Sequence, residues 1–263
     1  MTRAGGGRMA DLFDVVAATW PAAGVREMGG FVLRRGEGGG NRASAATRAG
    51  GPADITLAEA GMRDWGQVPL FLLRPGEAAL DAELAARGYL EHDASRLLSA
   101  PVAALATPDP ERRVVACDAP LRVMARLWQA GGIGPARLAV MARAAGPRTW
   151  LMIREGDRVA GCGFVAVREG IAMLHALEID PAFRRRGLGT VLTRGAARWA
   201  EAVGAADLAL AVTTRNAAAG ALYAGLGMTE GARYHYRRAP DPGGSLPEAR
   251  GSTTVAAGNA RGD

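Results

Sequence analysis

The sequence predicts an α/β fold built on mixed sheets, in two successive blocks. Three observations predict it. Short apolar strand candidates alternate with helix candidates through both halves of the 263-residue chain, the pattern of sheets covered by helices. In the second half the connections EGDR and REG are short enough to close antiparallel hairpins. A glycine turn, Gly187-Leu188-Gly189, follows a strand candidate and opens a helix.

In the first block, residues 10–19 have helical spacing. GFVLRRG (30–36) and NRASAAT (41–47) read as strands flanking the glycine turn EGGG, which is a hairpin turn rather than a phosphate loop because a strand follows it. ITLAEAGMRDW (55–65) is helical, PLFLLRP (69–75) a strand, EAALDAELAARG (77–88) a helix, and YLEHDASRLLSAPV extended. In the second block PLRVMARLWQAGG and PARLAVMARA are helical. TWLMIRE, RVAGCGFVAVRE and IAMLHALEID are strands, and a helix runs from the glycine turn to about Val203. LALAVTT (208–214), NAAAGALYAGLG and ARYHYRR complete the block as strand, helix and strand. The boundaries are residues 1–9 disordered, 10–105 the first domain, 106–111 a linker, 112–238 the second domain and 239–263 a disordered tail, the tail because its Pro/Gly/Ser/Ala composition has little to bury.

Bulk properties exclude several classes. No apolar run approaches the roughly 18 residues of a membrane span, and the first residues, MTRAGGGRMADLFDVV, lack the apolar centre of a signal peptide. The expected location is the cytoplasm, with no membrane partner. Cys117 and Cys162 have no metal-ligand spacing, so no metal site is expected, and two thiols do not make a secreted disulfide framework. The net charge of +6 and pI of about 10.2 raise the question of nucleic acid, but the arginines are scattered and aromatics are only 5%. There is no stacking platform for bases, and no nucleic-acid partner is expected.

The stretch RRRGLGTVLTRGAARWAEA (184–202) carries the functional signal. A helix leaves its first N–H groups unpaired and concentrates partial positive charge there. Glycines let a ligand approach the backbone, so a strand that turns through glycine into a helix can take a phosphate. The turn lacks the Gly-Lys-Ser/Thr of an ATP-binding loop and the three spaced glycines of a dinucleotide fold. On spacing alone a structural turn and an anion site stand level. The neighbouring residues separate them. Ile179-Asp180-Pro181 precedes Arg184-Arg185-Arg186-Gly187-Leu188-Gly189, and Asn216-Ala-Ala-Ala-Gly-Ala-Leu222-Tyr223-Ala-Gly-Leu226-Gly227-Met228 follows. Over about residues 112–238 this resembles the GNAT superfamily of acetyl-coenzyme A-dependent N-acetyltransferases, with Met228 where phenylalanine is usual. Gly29-Gly30-Phe31-Val32-Leu33-Arg34, Asn41-Arg42-Ala43-Ser44 and Leu80-Asp81 through Gly88-Tyr89 resemble the degenerate GNAT-like front half of two-part bacterial members. The resemblance implies tandem GNAT-like domains, the second with a complete acyl-CoA N-acyltransferase fold. The first has neither signature, and no cofactor is expected there.

The resemblance also implies roles. Acetyl-CoA is the expected co-substrate, its pyrophosphate resting on the turn at Arg184, Arg185, Arg186, Gly187, Leu188, Gly189 and Thr190. Gly189 is expected to keep open the space for that pyrophosphate, so that Gly189→Glu abolishes binding. Backbone groups of Leu177, Glu178 and Ile179 meet the pantetheine and thioester at a bulge, and Asn216 borders the cofactor while capping its helix. Tyr223 matches the tyrosine that protonates the leaving thiolate. Met173-Leu174-His175-Ala176-Leu177 resembles a strand of arylalkylamine N-acetyltransferases in which two histidines relay the amine proton. His175 matches the second and Met173 stands in place of the first. Glu178 is the next candidate base, although strand alternation sets it on the face opposite His175 unless a bulge intervenes. Two functions remain open. One is an N-acetyltransferase acting on a primary amine of a small molecule or peptide by direct attack in a ternary complex. The other is a non-catalytic acyl-CoA sensor. The acceptor's identity, and whether the protein is a monomer or homodimer, are not read from the sequence. From the tail's composition, a chain ending at Arg238 is expected to keep the melting temperature of the full chain, as thermal denaturation would show.

Overall fold

A computed structural model of the chain describes residues 5–107 and 113–240. The elements run α1 (Gly5–Thr19), β1 (Gly24–Met28), β2 (Phe31–Arg35), α2 (Asn41–Ser44), β3 (Thr47–Arg48), α3 (Ile55–Arg63), β4 (Leu70–Leu73), α4 (Ala78–Ala86) and β5 (Leu90–Pro101). Then follow α5 (Val102–Leu105), β6 (Val114–Cys117), α6 (Arg122–Ala130), α7 (Pro135–Arg143), β7 (Arg148–Glu155), β8 (Arg158–Arg168) and β9 (Ile171–Ile179). A 3₁₀ turn at Pro181–Phe183 leads into α8 (Leu188–Ala202), β10 (Asp207–Thr213), α9 (Ala217–Gly225) and β11 (Thr229–Arg238). The mixed α/β architecture expected from the sequence is present.

By contacts the chain forms two units. The first joins the N-terminal residues through Arg96 to Pro135–Ala144 and to the chain from Gly231 onward, and the second takes Leu97–Gly134 and Ala145–Glu230. The division differs from the boundaries read along the sequence, because α7 and most of β11 lie in the first unit and β5 passes from one unit to the other.

In the first unit β1, β2 and β3 form an antiparallel sheet in that order, and β4, β11 and the start of β5 lie side by side. The β1–β2 hairpin closes through Gly29 and Gly30, both at positive φ, which glycine adopts without a Cβ clash. Residues 41–47 are not the expected second strand of a hairpin. Asn41–Ser44 is one helical turn and only Thr47–Arg48 is extended. Packing decides this. A Cβ on Gly39 would come within 2.5 Å of Val140 of α7, so the glycine run admits a helix from elsewhere in the sequence. The helix of four residues is too short to make Gly38–Gly40 an anion site. The apolar core holds Phe31, Leu33, Ile55, Met62, Phe71 and Leu84.

The second unit has strand order β5, β10, β9, β8, β7, β6. β6 through β9 are antiparallel neighbours and β9 pairs with β10 in parallel. Such a parallel pair needs a crossover, which α8 supplies. The spacing of Leu188, Val191, Leu192, Gly195 and Ala196 puts all five on one buried stripe of α8. That stripe packs on Leu174, Leu177 and Ile179 of β9 and on Val165 of β8. Gly195 is required there, since a Cβ would meet Val114 at 2.7 Å.

The expected disordered segments fall mostly outside the described residues, which exclude 1–4, 108–112 and 241–263. Residues 5–9 belong to α1. Ala239, placed in the tail by sequence, is buried in the first unit's core and its amide donates to Pro69 O at 2.9 Å. The truncation is therefore better made after Pro240. Phe71 meets Phe31 and Tyr89 edge to face, with centroids 5.1 and 5.6 Å apart. Phe71→Ala is expected to destabilise this unit by about 3–5 kcal/mol, read from chemical denaturation; a loss below about 1 kcal/mol would contradict this packing.

Candidate functional site

The site begins with an irregularity in β9. His175 pairs with Phe164 and Glu178 with Cys162, so β9 spends two residues, Ala176 and Leu177, where β8 spends Gly163 alone. This is a β-bulge. Ala176 takes a positive φ of 50°, which costs a non-glycine residue of the order of 1–2 kcal/mol. Burial among neighbours holds it. The indole N–H of Trp128 in α6 donates to Ala176 O at 2.8 Å.

The extra residue changes which side chains share a face. Leu174 and Leu177, three apart, both join the core under α8. His175 and Glu178, also three apart, both face the other way, since their partners Phe164 and Cys162 are two apart on β8. The exception allowed in the sequence reading therefore holds, and the two candidate bases lie on one face. His175 is buried and stacked on Phe164, with centroids 6.1 Å apart.

The bulge also coincides with the end of a ladder. β9 and β10 pair only from Ile171–Asp207 to Leu174–Leu210, although both strands continue. Beyond Leu174, the β10-side backbone edge of β9 through Leu177, Glu178 and Ile179 is outside that ladder. Parallel strands that part at their C-terminal ends leave a crevice for a ligand.

The turn into α8 follows. Gly187 is the N-cap at φ 75° and Arg185 is also at positive φ, 64°. Arg185, Arg186 and Gly187 are exposed, Thr190 is half-buried, and Leu188 and Gly189 are buried. The three arginines divide their work. Arg184 turns inward, its Nε donating to Ile179 O at 3.1 Å and its Nη2 to Glu178 Oε1 at 3.1 Å. Arg186 lies over the Phe183 ring at 5.4 Å. Gly189 also has a packing role. A Cβ there would meet Leu222 Cδ1 at 2.6 Å, so this glycine lets α9 approach α8. Gly189→Glu would disturb that packing and does not isolate anion binding.

Glu178 is 1% exposed. Burial raises its carboxyl to about pH 7, against the opposing pull of Arg184. Among the described residues Oε2 has no hydrogen-bond partner, and it lies 2.6 Å from where a Cβ on Gly131 would be. The Tyr223 phenol is fully enclosed, and burial raises it well above its ordinary value. It therefore keeps its proton throughout the neutral range. Asn216 caps α9, its Oδ1 accepting from Ala219 N at 3.1 Å.

The profile of the acetyltransferase (GNAT) family matches residues 121–228. Residues 121–228 are a GNAT-family domain. A GCN5-related N-acetyltransferase from Kribbella flavida shares the fold at 19% identity and a TM-score of 0.66, over 90% of this chain and 96% of that one. A functionally unknown conserved protein from Staphylococcus epidermidis does so at 8% identity and 0.65, over 83% and 94%. A tandem GNAT protein from the clavulanic acid biosynthesis pathway does so at 14% and 0.58, over 87% of each chain. No curated protein matches the sequence. At these identities the structural likeness is one of fold. The family match bears out the expected GNAT domain over residues 121–228, and the structural likeness bears out the expected tandem GNAT-like fold. The GNAT family performs acyl transfer from acyl-CoA.

The sequence missed Trp128 and Gly131 of the GNAT domain. Trp128 is 48 residues from the carbonyl it holds. The one available signal was that a buried indole N–H needs an acceptor.

The Glu178 carboxyl titrates higher in the folded chain than in the unfolded one, so the unfolded state loses its proton first. Stability is full below the unfolded value of about 4.5 and falls as pH rises through about 7. The loss amounts to about 3 kcal/mol at most. Glu178→Gln should flatten the pH dependence of the unfolding free energy between pH 5 and 8, since the variant has no carboxyl to ionise. Parallel curves for the two proteins would mean Glu178 is already ionised at pH 5.

Proposed function

We propose that the chain is an N-acetyltransferase that moves an acetyl group from acetyl-CoA to a primary amine of a small molecule or peptide. The observation that carries this reading is the end of the β9–β10 ladder at Leu174–Leu210, at the bulge and on the strand that leads to the α8 N-terminus. That arrangement supports a thioester along the open edge of β9, with the pyrophosphate at the amides from Arg185 to Thr190. Asn216 borders the cofactor from the start of α9.

The amine nitrogen attacks the thioester carbon directly in a ternary complex. The carbonyl π electrons move to oxygen, where backbone N–H groups of the bulge stabilise the charge. The C–S bond then breaks and the sulfur takes the Tyr223 proton, which solvent later restores. The amine's proton leaves by way of His175 or Glu178 through water. Both side chains occupy the same face of β9, and burial raises the Glu178 carboxyl to about 7. Arg184 keeps Glu178 oriented. Met173 in place of a second histidine is the observation on which the second reading, a non-catalytic acyl-CoA sensor, rests. Turnover separates the two. The proposed setting is the cytoplasm, where Cys117 and Cys162, both free, stay reduced.

Acetyl-CoA should bind the folded chain in calorimetry. Thr190→Glu should weaken it between about fivefold and a thousandfold, because a carboxylate about 4 Å from the pyrophosphate costs about 1–4 kcal/mol. If the wild type binds neither acetyl-CoA nor free CoA, the acetyltransferase reading falls. Tyr223→Phe should keep that affinity and slow transfer by about 10²–10⁴-fold. Unchanged turnover would assign the thiolate's proton to water, and binding without transfer to any amine in a broad panel would favour the sensor.

A further inference from the structure

Trp128 of α6 is wholly buried, and its indole N–H donates at 2.8 Å to the carbonyl oxygen of Ala176. A buried indole N–H needs an acceptor, and most carbonyls of a sheet are already engaged in its ladders. The carbonyl that Trp128 reaches belongs to the bulged pair of β9, and to the residue of that pair at positive φ. In a regular strand the carbonyls lie close to the plane of the sheet and point at the neighbouring strands. α6 lies over a face of the sheet. It is the Glu178 face, since a Cβ on Gly131, the C-cap of α6, would come within 2.6 Å of Glu178 Oε2. A carbonyl that meets an indole of α6 is therefore turned out of the sheet plane.

That turn carries over to the next amide. No peptide bond among the described residues is cis. In a planar trans peptide the carbonyl of one residue and the N–H of the next point in opposite directions. With Ala176 O drawn toward α6, the Leu177 N–H is aimed away from α6. The helix end that does this is itself secured. Ile133 N donates to Trp128 O at 2.7 Å and Gly131 N to Leu127 O at 3.1 Å, while Met124, Leu127 and Trp128 are buried beneath the helix. The indole thus fixes one peptide plane of the bulge from a packed element, the kind of preorganisation that makes a backbone N–H effective at a developing charge.

We propose that Trp128 is a positioning residue for acyl transfer, which by holding the Ala176 carbonyl aims the Leu177 N–H at the thioester oxygen. This rests on the acetyltransferase reading above, in which amides of the bulge stabilise the charge on that oxygen. Trp128 acts only through the Ala176–Leu177 peptide. A displacement of about 1 Å at a reacting centre costs about 10²-fold in rate, so a single peptide plane is worth holding this firmly.

The test needs no acceptor amine. Acetyl-CoA carrying a heavy carbon isotope at the thioester carbonyl is bound to the full chain, and isotope-edited infrared difference spectra read its C=O stretch. In the wild type a hydrogen bond from the bulge should lower that stretch below its position in free acetyl-CoA. Benzothienylalanine in place of Trp128 keeps the ring shape and puts sulfur where the N–H was. The stretch should return toward its free position, with little change in calorimetric affinity for acetyl-CoA, and Trp128→Phe should act in the same direction. Met124→Ala removes another side chain buried in α6 and spares the indole. It should lower the melting temperature and leave the stretch in place. Circular dichroism confirms that each protein is folded. A wild-type stretch equal to that of free acetyl-CoA, or one unmoved by benzothienylalanine, overturns the positioning role and leaves the acetyltransferase reading standing. So does an equal movement in Met124→Ala, which would make the effect one of packing. Failure of the folded wild type to bind acetyl-CoA overturns both.

Discussion

The extra residue in β9 is the constraint on which the candidate site rests. Without it, the spacing of His175 and Glu178 would send them to opposite faces, and Leu174 and Leu177 likewise. With it, two leucines enter the core beneath α8 and two titratable groups share the opposite face. The bulge is held by the Trp128 indole on Ala176 O, a buried hydrogen bond across two elements. Losing that donor would leave a buried carbonyl unpaired, a cost of about 1–3 kcal/mol. A positive φ at Ala176 is tolerated because the surrounding packing leaves no alternative.

Arg184 connects the bulged strand to the helix that follows. Its side chain bridges Ile179 O and the Glu178 carboxylate while its backbone enters the glycine turn. The end of β9 and the ionisation of Glu178 thus share one guanidinium. Burial of Glu178 opposes ionisation more strongly than Arg184 favours it. The balance leaves a carboxyl able to exchange a proton near neutral pH, the property a general base needs.

The first unit is assembled from distant parts of the sequence. α7 reaches Gly39 through Val140, and β11 supplies His235 and Arg237, both of which bond Asp81 Oδ1 of α4, at 2.8 and 2.7 Å. Those two contacts hold the Asp81 carboxyl below its ordinary range.

Local chemistry was legible in the sequence wherever a single segment decides it. The apolar spacing of α6 and α8, the short hairpin turns of β7 through β9, the Asn216 cap and the two GNAT signatures all depend on residues a few positions apart, and each was readable for that reason. Residues 41–47 were misread because their conformation depends on α7, whose side chains fill the space the glycines leave. The packing of Gly189 against Leu222 was not legible, because a sequence cannot tell which neighbour a missing Cβ accommodates. The face shared by His175 and Glu178, the inward turn of Arg184 and the parting of β9 from β10 are register and packing facts. Register depends on pairings between strands, and one inserted residue reverses every side chain beyond it. The sequence by itself determined most of the helices and strands and the family signatures of residues 121–228. Tertiary structure alone decided which side chains meet, because burial and pairing join residues that no local pattern relates.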